Sequence, residues 1–246
     1  MTGKTLGDRM KDYEKTSNFF LQRKIPVMGR LDGKAFHTLT RNLDRPFDEM
    51  FHRCMVGATK ALCGKIQGCQ VGYTQSDEIT ILLVDWQTKT TDAWFGYRLQ
   101  KMCSVAASIA SVAFNQAWEV ENGSNPPAPA YFDARFWNIA KEEVNNVFLW
   151  RQRDAEKNSI SMLAQAHFSH KELHKKNSSD KQDMLMSLDV PVNWNDTKVW
   201  EKRGATVDRI VYEQNGALRS RWSENLETPM FGKEPDYINK FLTFEG

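Results

Sequence analysis

The chain has 246 residues, 41% of them hydrophobic and 26% charged, which is an ordinary globular balance for one large domain or two small ones. Its net charge of +2 excludes nucleic-acid binding driven by bulk charge, so such a partner would need local basic patches. No apolar run approaches the roughly 20 residues that span a bilayer, and the polar N-terminus is not a secretory signal. Four cysteines without paired spacing are typical of reduced thiols, so we expect a cytoplasmic protein with no membrane partner.

The spacing of apolar residues predicts alternating helices and strands up to residue 140. In chain order they are a helix over 4–20, a strand over 25–31, a short helix over 34–41, a longer helix from Pro46, strands over 70–74 and 79–84, a helix over 94–118 and a strand over 132–139. Without the first helix this is a β-α-β-β-α-β core, the ferredoxin-like arrangement of the α+β class.

The rest of the chain changes character. We predict helices over 141–153, 154–167 and 180–188, a basic segment over 169–179, strands over 197–203, 206–213 and 217–222 with a turn at Asn215-Gly216, and a weakly patterned tail over 226–246. We therefore divide the chain into a catalytic core over 1–140 and an extension over 141–246. The extension is helical and basic, then β-rich, and is packed on the same unit.

Two aspartates lie in turn-forming sequences that follow apolar runs. Asp32 follows the first strand, and Asp77 lies between the two strands of the hairpin. In a ferredoxin-like sheet the first strand is central and lies beside that hairpin, so the two carboxylates can meet and hold metal ions against a triphosphate. The alternative is that Asp-Gly and Ser-Asp are ordinary turn formers.

Neighbouring residues favour a phosphate site. Gly33 lets the backbone approach a phosphate, and the short helix that follows would present free N–H groups. Ser76 offers a hydroxyl beside Asp77, and Arg41 and Arg45 lie within reach of a triphosphate. For the two arginines, a solvated surface is the alternative.

The same residues resemble a known family. The run Arg30-Leu31-Asp32-Gly33 with Phe36-His37, followed by Tyr73 and Gln75-Ser76-Asp77-Glu78, resembles the tRNA-histidine guanylyltransferase family. The resemblance covers roughly residues 5–190 and continues through Phe132-Asp133 with Arg135, Trp150-Arg151-Gln152 with Asp154, and Ser169-His170-Lys171-Glu172-Leu173. The two aspartate motifs in this order are specific, whereas either motif alone is weak.

The resemblance implies a polymerase-palm-like core that adds nucleotides in the 3′-to-5′ direction, and a homo-oligomer, a tetramer. It places two Mg²⁺ ions on Asp32, the Gly33 carbonyl and Asp77, with Glu78 as a supporting catalytic residue. ATP and GTP are the implied substrates. The nucleotide-binding residues that it implies are Asp32, Gly33, Lys34, Ala35, Phe36, His37, Arg45, Ser76 and Asp77.

One segment departs from the family pattern. Eukaryotic members follow Trp-Arg-Gln-x-Asp with His-Ile-Asn-Asn-Leu-Tyr-Asn, whereas this chain has the segment 156–162, in which only Asn158 matches. The chain is therefore more similar to the bacterial and archaeal guanylyltransferase-like branch, which resembles repair polymerases for 5′-truncated tRNA. In such an enzyme the opposite RNA strand selects the incoming base, and the protein binds RNA shape and backbone.

Basic side chains after residue 150 predict contacts with tRNA. The predicted RNA-binding residues are Arg151, Arg153, Lys157, Asn158, His170, Lys171, Lys175 and Lys176. Arg151 could instead pair with Glu142 or Asp154. The spacing of His167, His170 and His174 would also suit a transition metal on a helix, although the interleaved lysines would repel a cation.

We predict a template-dependent 3′–5′ nucleotidyltransferase that extends the 5′ end of tRNA, for repair or for guanine addition to tRNA-histidine. A nucleotide cyclase or cyclic-dinucleotide synthase on the same palm is the main alternative, but it has no need of the basic region over 141–188. A non-catalytic RNA-binding module is the third hypothesis, and the two aspartates argue against it.

Overall fold

The computed structural model describes residues 3–88 and 90–243, so residues 244–246 of the predicted tail lie outside the described part. The α-helices are α1 Leu6–Lys15, α2 Phe36–Leu39, α3 Glu49–Lys65, α4 Leu99–Asn122, α5 Val144–Gln165, α6 Ser178–Met186, α7 Val199–Arg203 and α8 Asp236–Asn239. The strands are β1 Val27–Gly33, β2 Cys69–Gln75, β3 Glu78–Leu83, β4 Phe132–Asn138, β5 Ala205–Gln214 and β6 Ala217–Asn225. Within these ranges, no helix has both the length and the apolar composition to cross a bilayer.

The described strands form one antiparallel sheet in the order β4-β1-β3-β2-β5-β6. The first four strands in this order, with α3 and α4 in the connections between them, are the predicted ferredoxin-like core, so the fold class is confirmed. β1 is central and pairs with both β3 and β4, which places its end beside the β2–β3 turn. β5 pairs with β2, so the C-terminal strands extend the same sheet. The functional division at residue 140 stays a prediction.

The two faces of the sheet are covered by different parts of the chain. α3 and α4 cover one face, where Ile79 and Phe114 are fully buried. α5 and the C-terminal tail cover the other face, where Leu82 packs with Phe148 and Phe231. Because side chains alternate along a strand, β3 is buried on both faces. Each such large apolar side chain contributes about 1.5–3 kcal/mol to folding, so the sheet is a firm base for the residues at its ends.

Several predicted helices differ from the observed ones at their ends. α1 already stops at Lys15, and none of its residues is buried. α3 begins later than predicted, at Glu49, because the Asp48 carboxylate accepts the Phe51 N–H at 2.7 Å and caps the helix. The predicted helix from residue 94 opens with a 3₁₀ turn, Trp94–Tyr97, and α4 follows it.

The helices predicted over 141–153 and 154–167 are one continuous helix, α5, preceded by a short 3₁₀ turn. The predicted break at Asp154 is therefore wrong. The Asp154 carboxylate accepts a hydrogen bond from Arg151, one turn earlier on the same helix, at 2.8 Å. Such an i,i+3 pair stabilises a continuous helix.

The strand predicted over 197–203 is also wrong, because this segment forms α7. The Glu201 carboxylate accepts the Lys198 N–H at 2.9 Å and satisfies a free group at the start of the helix. Gly204, at φ +70°, ends the helix, and its conformation is one that other residues rarely adopt.

Candidate active site

The sheet order places acidic side chains in a row at one end of the strands. Asp32, near the end of β1, is in register with Glu78 at the start of β3 and with Asp133 on β4. Asp77 lies in the two-residue turn between β2 and β3, and its carbonyl accepts the Gly33 N–H at 3.0 Å. The two aspartates predicted to bind metal therefore meet at the same end of the sheet.

The two carboxylates in register with Asp32, those of Glu78 and Asp133, are each paired with an arginine. Arg151 on α5 donates from Nε to Glu78 Oε1 at 2.7 Å, and both residues are buried. Burial raises the pKa of Glu78, and the Arg151 guanidinium opposes that rise. Asp133 accepts a hydrogen bond from Arg135 of the same strand at 2.9 Å.

Asp32 and Asp77 lack such partners. In the described part of the chain, neither carboxylate forms a salt bridge, although their acidic neighbours do. Burial, and then the nearby charge of Asp32, raise the pKa of Asp77, while the Ser76 hydroxyl at 3.3 Å opposes the rise. A cation between the two carboxylates would offset the cost of ionising them.

The donor set of this site fits Mg²⁺. This ion takes oxygen ligands, is held by one or two carboxylates, and keeps several positions for water and substrate phosphates. Asp32, Asp77 and the Gly33 carbonyl offer oxygens of that kind. Residues 3–88 and 90–243 contain no cluster of three or more His, Cys, Asp or Glu side chains that could hold a metal alone. Water and substrate would therefore supply the remaining ligands.

The loop after β1 is held in place by one aromatic ring. Phe36 opens α2, which is shorter than the predicted helix, and its ring centroid lies 5.2 Å from that of Phe114 and 5.1 Å from that of Phe132. A Cβ on Gly33 would lie 2.6 Å from the Phe36 ring, so only glycine permits this approach. Phe36 therefore anchors the loop, in addition to the nucleotide contact predicted for it.

A cavity of about 480 Å³ opens beside Asp77, which is a usual size for a small-molecule site. The predicted site residues that line it are Phe36, His37, Arg45, Ser76, Asp77 and Asn158. The other predicted nucleotide-binding residues, Asp32, Gly33, Lys34 and Ala35, do not line it, and Lys34 and Ala35 are exposed in the adjoining loop. The fold thus brings four separate segments of the chain, all predicted to act on nucleotide or RNA, to one cavity.

A family model described as Thg1, tRNAHis guanylyltransferase, matches residues 7–140, which is more than half of the chain. The chain belongs to this family. The predicted family and the predicted class of enzyme, a nucleotidyltransferase, are therefore confirmed. The matched region contains Asp32, Asp77 and the whole ferredoxin-like core.

Solved structures of bacterial Thg1-like proteins have the same fold. A complex with ATP is 41% identical, covers 98% of this chain and 100% of that chain, and has a TM-score of 0.90. A complex with GTP is 40% identical with the same coverage and a TM-score of 0.86. The Saccharomyces cerevisiae enzyme is 20% identical, covers 83% and 93% of the two chains, and at a TM-score of 0.70 supports the fold alone.

Among curated proteins, uncharacterized protein R259 of Acanthamoeba polyphaga mimivirus is 28% identical over 267 residues. That match covers 97% of this chain and 88% of the viral protein. Both the viral relative and the bacterial structures therefore span the C-terminal extension as well as the Thg1 core.

One wall of the cavity in this Thg1 family member was not predicted from sequence. The ring of His52 on α3 stacks on Trp200 of α7, with 4.1 Å between ring centroids and an interplanar angle of 19°. Burial lowers the pKa of His52 to about 4, so the ring is neutral near pH 7. No local signal links the two residues, because they are far apart in the chain and α7 was predicted as a strand.

The structure separates Arg151 from the other residues predicted to bind RNA. Arg151 is buried and bonded to Glu78 and Asp154, so the structural pairing forms and the side chain is not available to RNA. The other predicted RNA-binding residues are exposed, and they are Arg153, Lys157, Asn158, His170, Lys171, Lys175 and Lys176.

The histidines of the basic segment do not share a helix face. α5 ends at Gln165, and the chain runs through turns until α6, so the helical spacing assumed for His167 does not apply. His170 and His174 instead line a cavity of about 230 Å³ together with Lys175. Lysine at this position disfavours a cation and is compatible with phosphate.

Proposed function

We propose that this Thg1 family protein is a template-dependent 3′–5′ nucleotidyltransferase that extends the 5′ end of tRNA. Its substrates in this proposal are ATP, GTP and other nucleoside triphosphates, and its cofactor is a pair of Mg²⁺ ions. The observation that carries the proposal is the pair of uncompensated carboxylates, Asp32 and Asp77, of which Asp77 lines a cavity of nucleotide size.

The reaction forms one P–O bond and breaks one P–O bond in each of two steps. The 5′-phosphate of the tRNA first attacks the α-phosphorus of ATP, and pyrophosphate leaves. The 3′-hydroxyl of the incoming nucleotide then attacks the 5′-phosphorus of the adenylylated end, loses its proton to solvent, and AMP leaves. A tRNA with a 5′-triphosphate skips the first step and releases pyrophosphate. Such transfers depend on positioning and on neutralising charge.

The residues of the site supply that positioning. Asp32, Asp77 and the Gly33 carbonyl would hold the Mg²⁺ ions, which stabilise charge on the attacking and leaving oxygens when bound. Arg45 and His37 line the cavity next to Asp77, where they would contact the triphosphate of the incoming nucleotide. Hydrogen bonds from a guanidinium to phosphate are among the strong ones, so Arg45 is the main candidate for this contact.

The cavity wall supports repair of many tRNAs over strict addition to tRNA-histidine. The segment 156–162, which lacks the eukaryotic motif, contributes Asn158, Ser159 and Met162 to that wall. Bacterial Thg1-like structures hold ATP in one case and GTP in another. We therefore propose that the opposite strand of the acceptor stem selects the base. A cytoplasmic homotetramer, as implied by the family resemblance, is part of the proposal.

The test is extension of a panel of 5′-truncated tRNAs with each labelled nucleoside triphosphate, in Mg²⁺ and in EDTA. Template-matched addition by the wild-type protein in Mg²⁺ alone, lost in Asp32→Asn, supports the proposal. Asp12→Asn is the matched control, because Asp12 is a surface carboxylate on α1 that pairs with Lys4. Equal extension by Asp32→Asn would contradict the assignment of the site, and a cyclic product formed without RNA would favour the cyclase.

A further inference from the structure

Trp150 is an exposed aromatic residue beside the carboxylate row, and the reaction described above does not use it. It lies on α5 immediately before Arg151, and 50% of its surface is exposed. A tryptophan that is half open to water beside a reactive site is typical of a contact surface, because the ring offers a large rigid area to a partner.

Two guanidinium groups lie against the Trp150 indole. Arg151 lies 4.3 Å and Arg30 lies 5.5 Å from the ring centroid. Both arginines also meet Glu78, with Nε–Oε1 at 2.7 Å for Arg151 and Nε–Oε2 at 4.0 Å for Arg30. Both arginines therefore link the indole to the same buried carboxylate. These contacts hold the ring in place, while half of the Trp150 surface stays exposed.

The strand register fixes how close this ring lies to the predicted metal ligands. Arg30 and Asp32 are two residues apart on β1, so their side chains are on the same face of the sheet, about 7 Å apart along the strand. Trp150 contacts Arg30 and does not line the nucleotide cavity. The site therefore has an aromatic surface outside the cavity, reached through Arg30 from the face of the sheet that carries Asp32.

We infer that the exposed Trp150 ring stacks on a nucleobase outside the cavity and positions that nucleotide beside Asp32. The inference rests on the proposed function, in which two nucleotides must meet at the carboxylates while the cavity holds one of them. Stacking suits this task because every base has a π-face, so different bases are accepted. Two sources carry this chemistry, the 5′-terminal base of the tRNA and the base of a second nucleoside triphosphate.

Two binding measurements distinguish these sources. Fluorescence anisotropy measures the affinity of a 5′-truncated tRNA and, separately, of a ribose-labelled, non-hydrolysable ATP analogue for the wild-type protein, Trp150→Leu and Trp150→Phe. Base–aromatic stacking predicts that Trp150→Leu binds one ligand roughly five- to 150-fold more weakly and that Trp150→Phe restores most of the affinity. The ligand whose affinity changes is the source of the stacked base.

A crosslinking measurement keeps the inference testable if Trp150→Leu does not fold. A 4-thiouridine at the 5′ terminus of the RNA, or 4-thio-UTP, should crosslink on irradiation to the peptide of the wild-type protein that contains Trp150. Phe20→Ala is the matched control for affinity. Phe20 is 56% exposed and lies 5.6 Å from the Arg98 guanidinium, in the segment before β1, whereas Asp32 lies near the end of that strand.

Unchanged binding of both ligands by Trp150→Leu, or crosslinks only to other peptides, would overturn the inference. An equal loss of affinity in Trp150→Leu and Trp150→Phe would also overturn it, because a phenylalanine ring should still stack. None of these measurements needs turnover, so failure of stacking and failure of nucleotide addition are separate results.

Discussion

Four carboxylates lie at one end of the sheet, and among the described residues two of them are paired with arginine and two are not. Glu78 has an arginine nitrogen at 2.7 Å and Asp133 has one at 2.9 Å. Asp32, which is in register with both, and Asp77 in the adjacent turn form no salt bridge within the described residues. Like charges opposite each other destabilise a sheet. The fold therefore carries a cost at Asp32 and Asp77 that it avoids at their neighbours, which supports the proposal that these two residues bind a cation.

The largest expected effect comes from removing the charge of one of the unpaired carboxylates, and it is on catalysis. Asp77→Asn keeps the shape of the side chain and removes its charge, so nucleotide addition should fall about a thousandfold or more, because the charge stabilisation by a metal is worth several kcal/mol. The free energy of unfolding in EDTA should not fall, since the repulsion with Asp32 is removed. Steady-state addition to truncated tRNA and urea denaturation measure the two quantities. Wild-type activity of Asp77→Asn, or a loss of activity that is explained by unfolding, would show that Asp77 does not differ in role from the paired carboxylates.

The next effect is on stability and concerns the neutralised carboxylates. Arg151→Ala removes the hydrogen bond to buried Glu78 and leaves it only the longer contact with Arg30 at 4.0 Å, so the free energy of unfolding should fall by about 3–5 kcal/mol. Arg135→Ala breaks the exposed pair with Asp133 and should cost less than about 1 kcal/mol. Urea denaturation of both variants measures the difference. Equal losses would show that Arg151 contributes no more than a surface ion pair.

A smaller effect concerns the cavity wall, where a titratable ring is kept neutral by burial and not by pairing. Burial lowers the pKa of His52 to about 4 in the folded state, from 6.5. Because the folded value is the lower one, the stability linked to this group is complete above pH 6.5 and is lost as the pH falls towards 4.

The loss at low pH is at most about 3 kcal/mol. His52→Phe keeps a ring against Trp200 and should remove this part of the acid sensitivity. The free energies of unfolding of both proteins, measured at neutral pH and near pH 4, provide the comparison. The same pH dependence in both would show that the His52 ring is protonated freely in the folded protein.

The meeting of Asp32 and Asp77 could be predicted because it depends on local signals. Runs with a period of two and turn residues mark the strands, and the order of a β-α-β-β-α-β core then brings the end of the first strand to the hairpin. What could not be predicted is which carboxylate is neutralised. Glu78 looks like the other acids in sequence, and its partner Arg151 comes from a distant helix.

The cavity wall formed by His52 and Trp200 shows a second limit of prediction from the sequence. Val199 and Trp200 favour a strand by propensity, yet the cap formed by Glu201 and the glycine that follows make the segment helical. The stack of His52 on Trp200 depends on that helix. A local misassignment therefore hid a tertiary contact, whereas the loop from Asp32 to His37 was found because its signals are contiguous.

A count of bound metal ions tests the central claim most directly. Mn²⁺ binds oxygen ligands of the same kind as Mg²⁺, and electron paramagnetic resonance counts the ions bound per chain in the presence of a non-hydrolysable ATP analogue. We expect two ions in the wild-type protein and in Asp133→Asn, whose carboxylate is already neutralised, and the loss of at least one ion in Asp32→Asn and in Asp77→Asn. Two ions bound with unchanged affinity in the latter two variants would contradict the account.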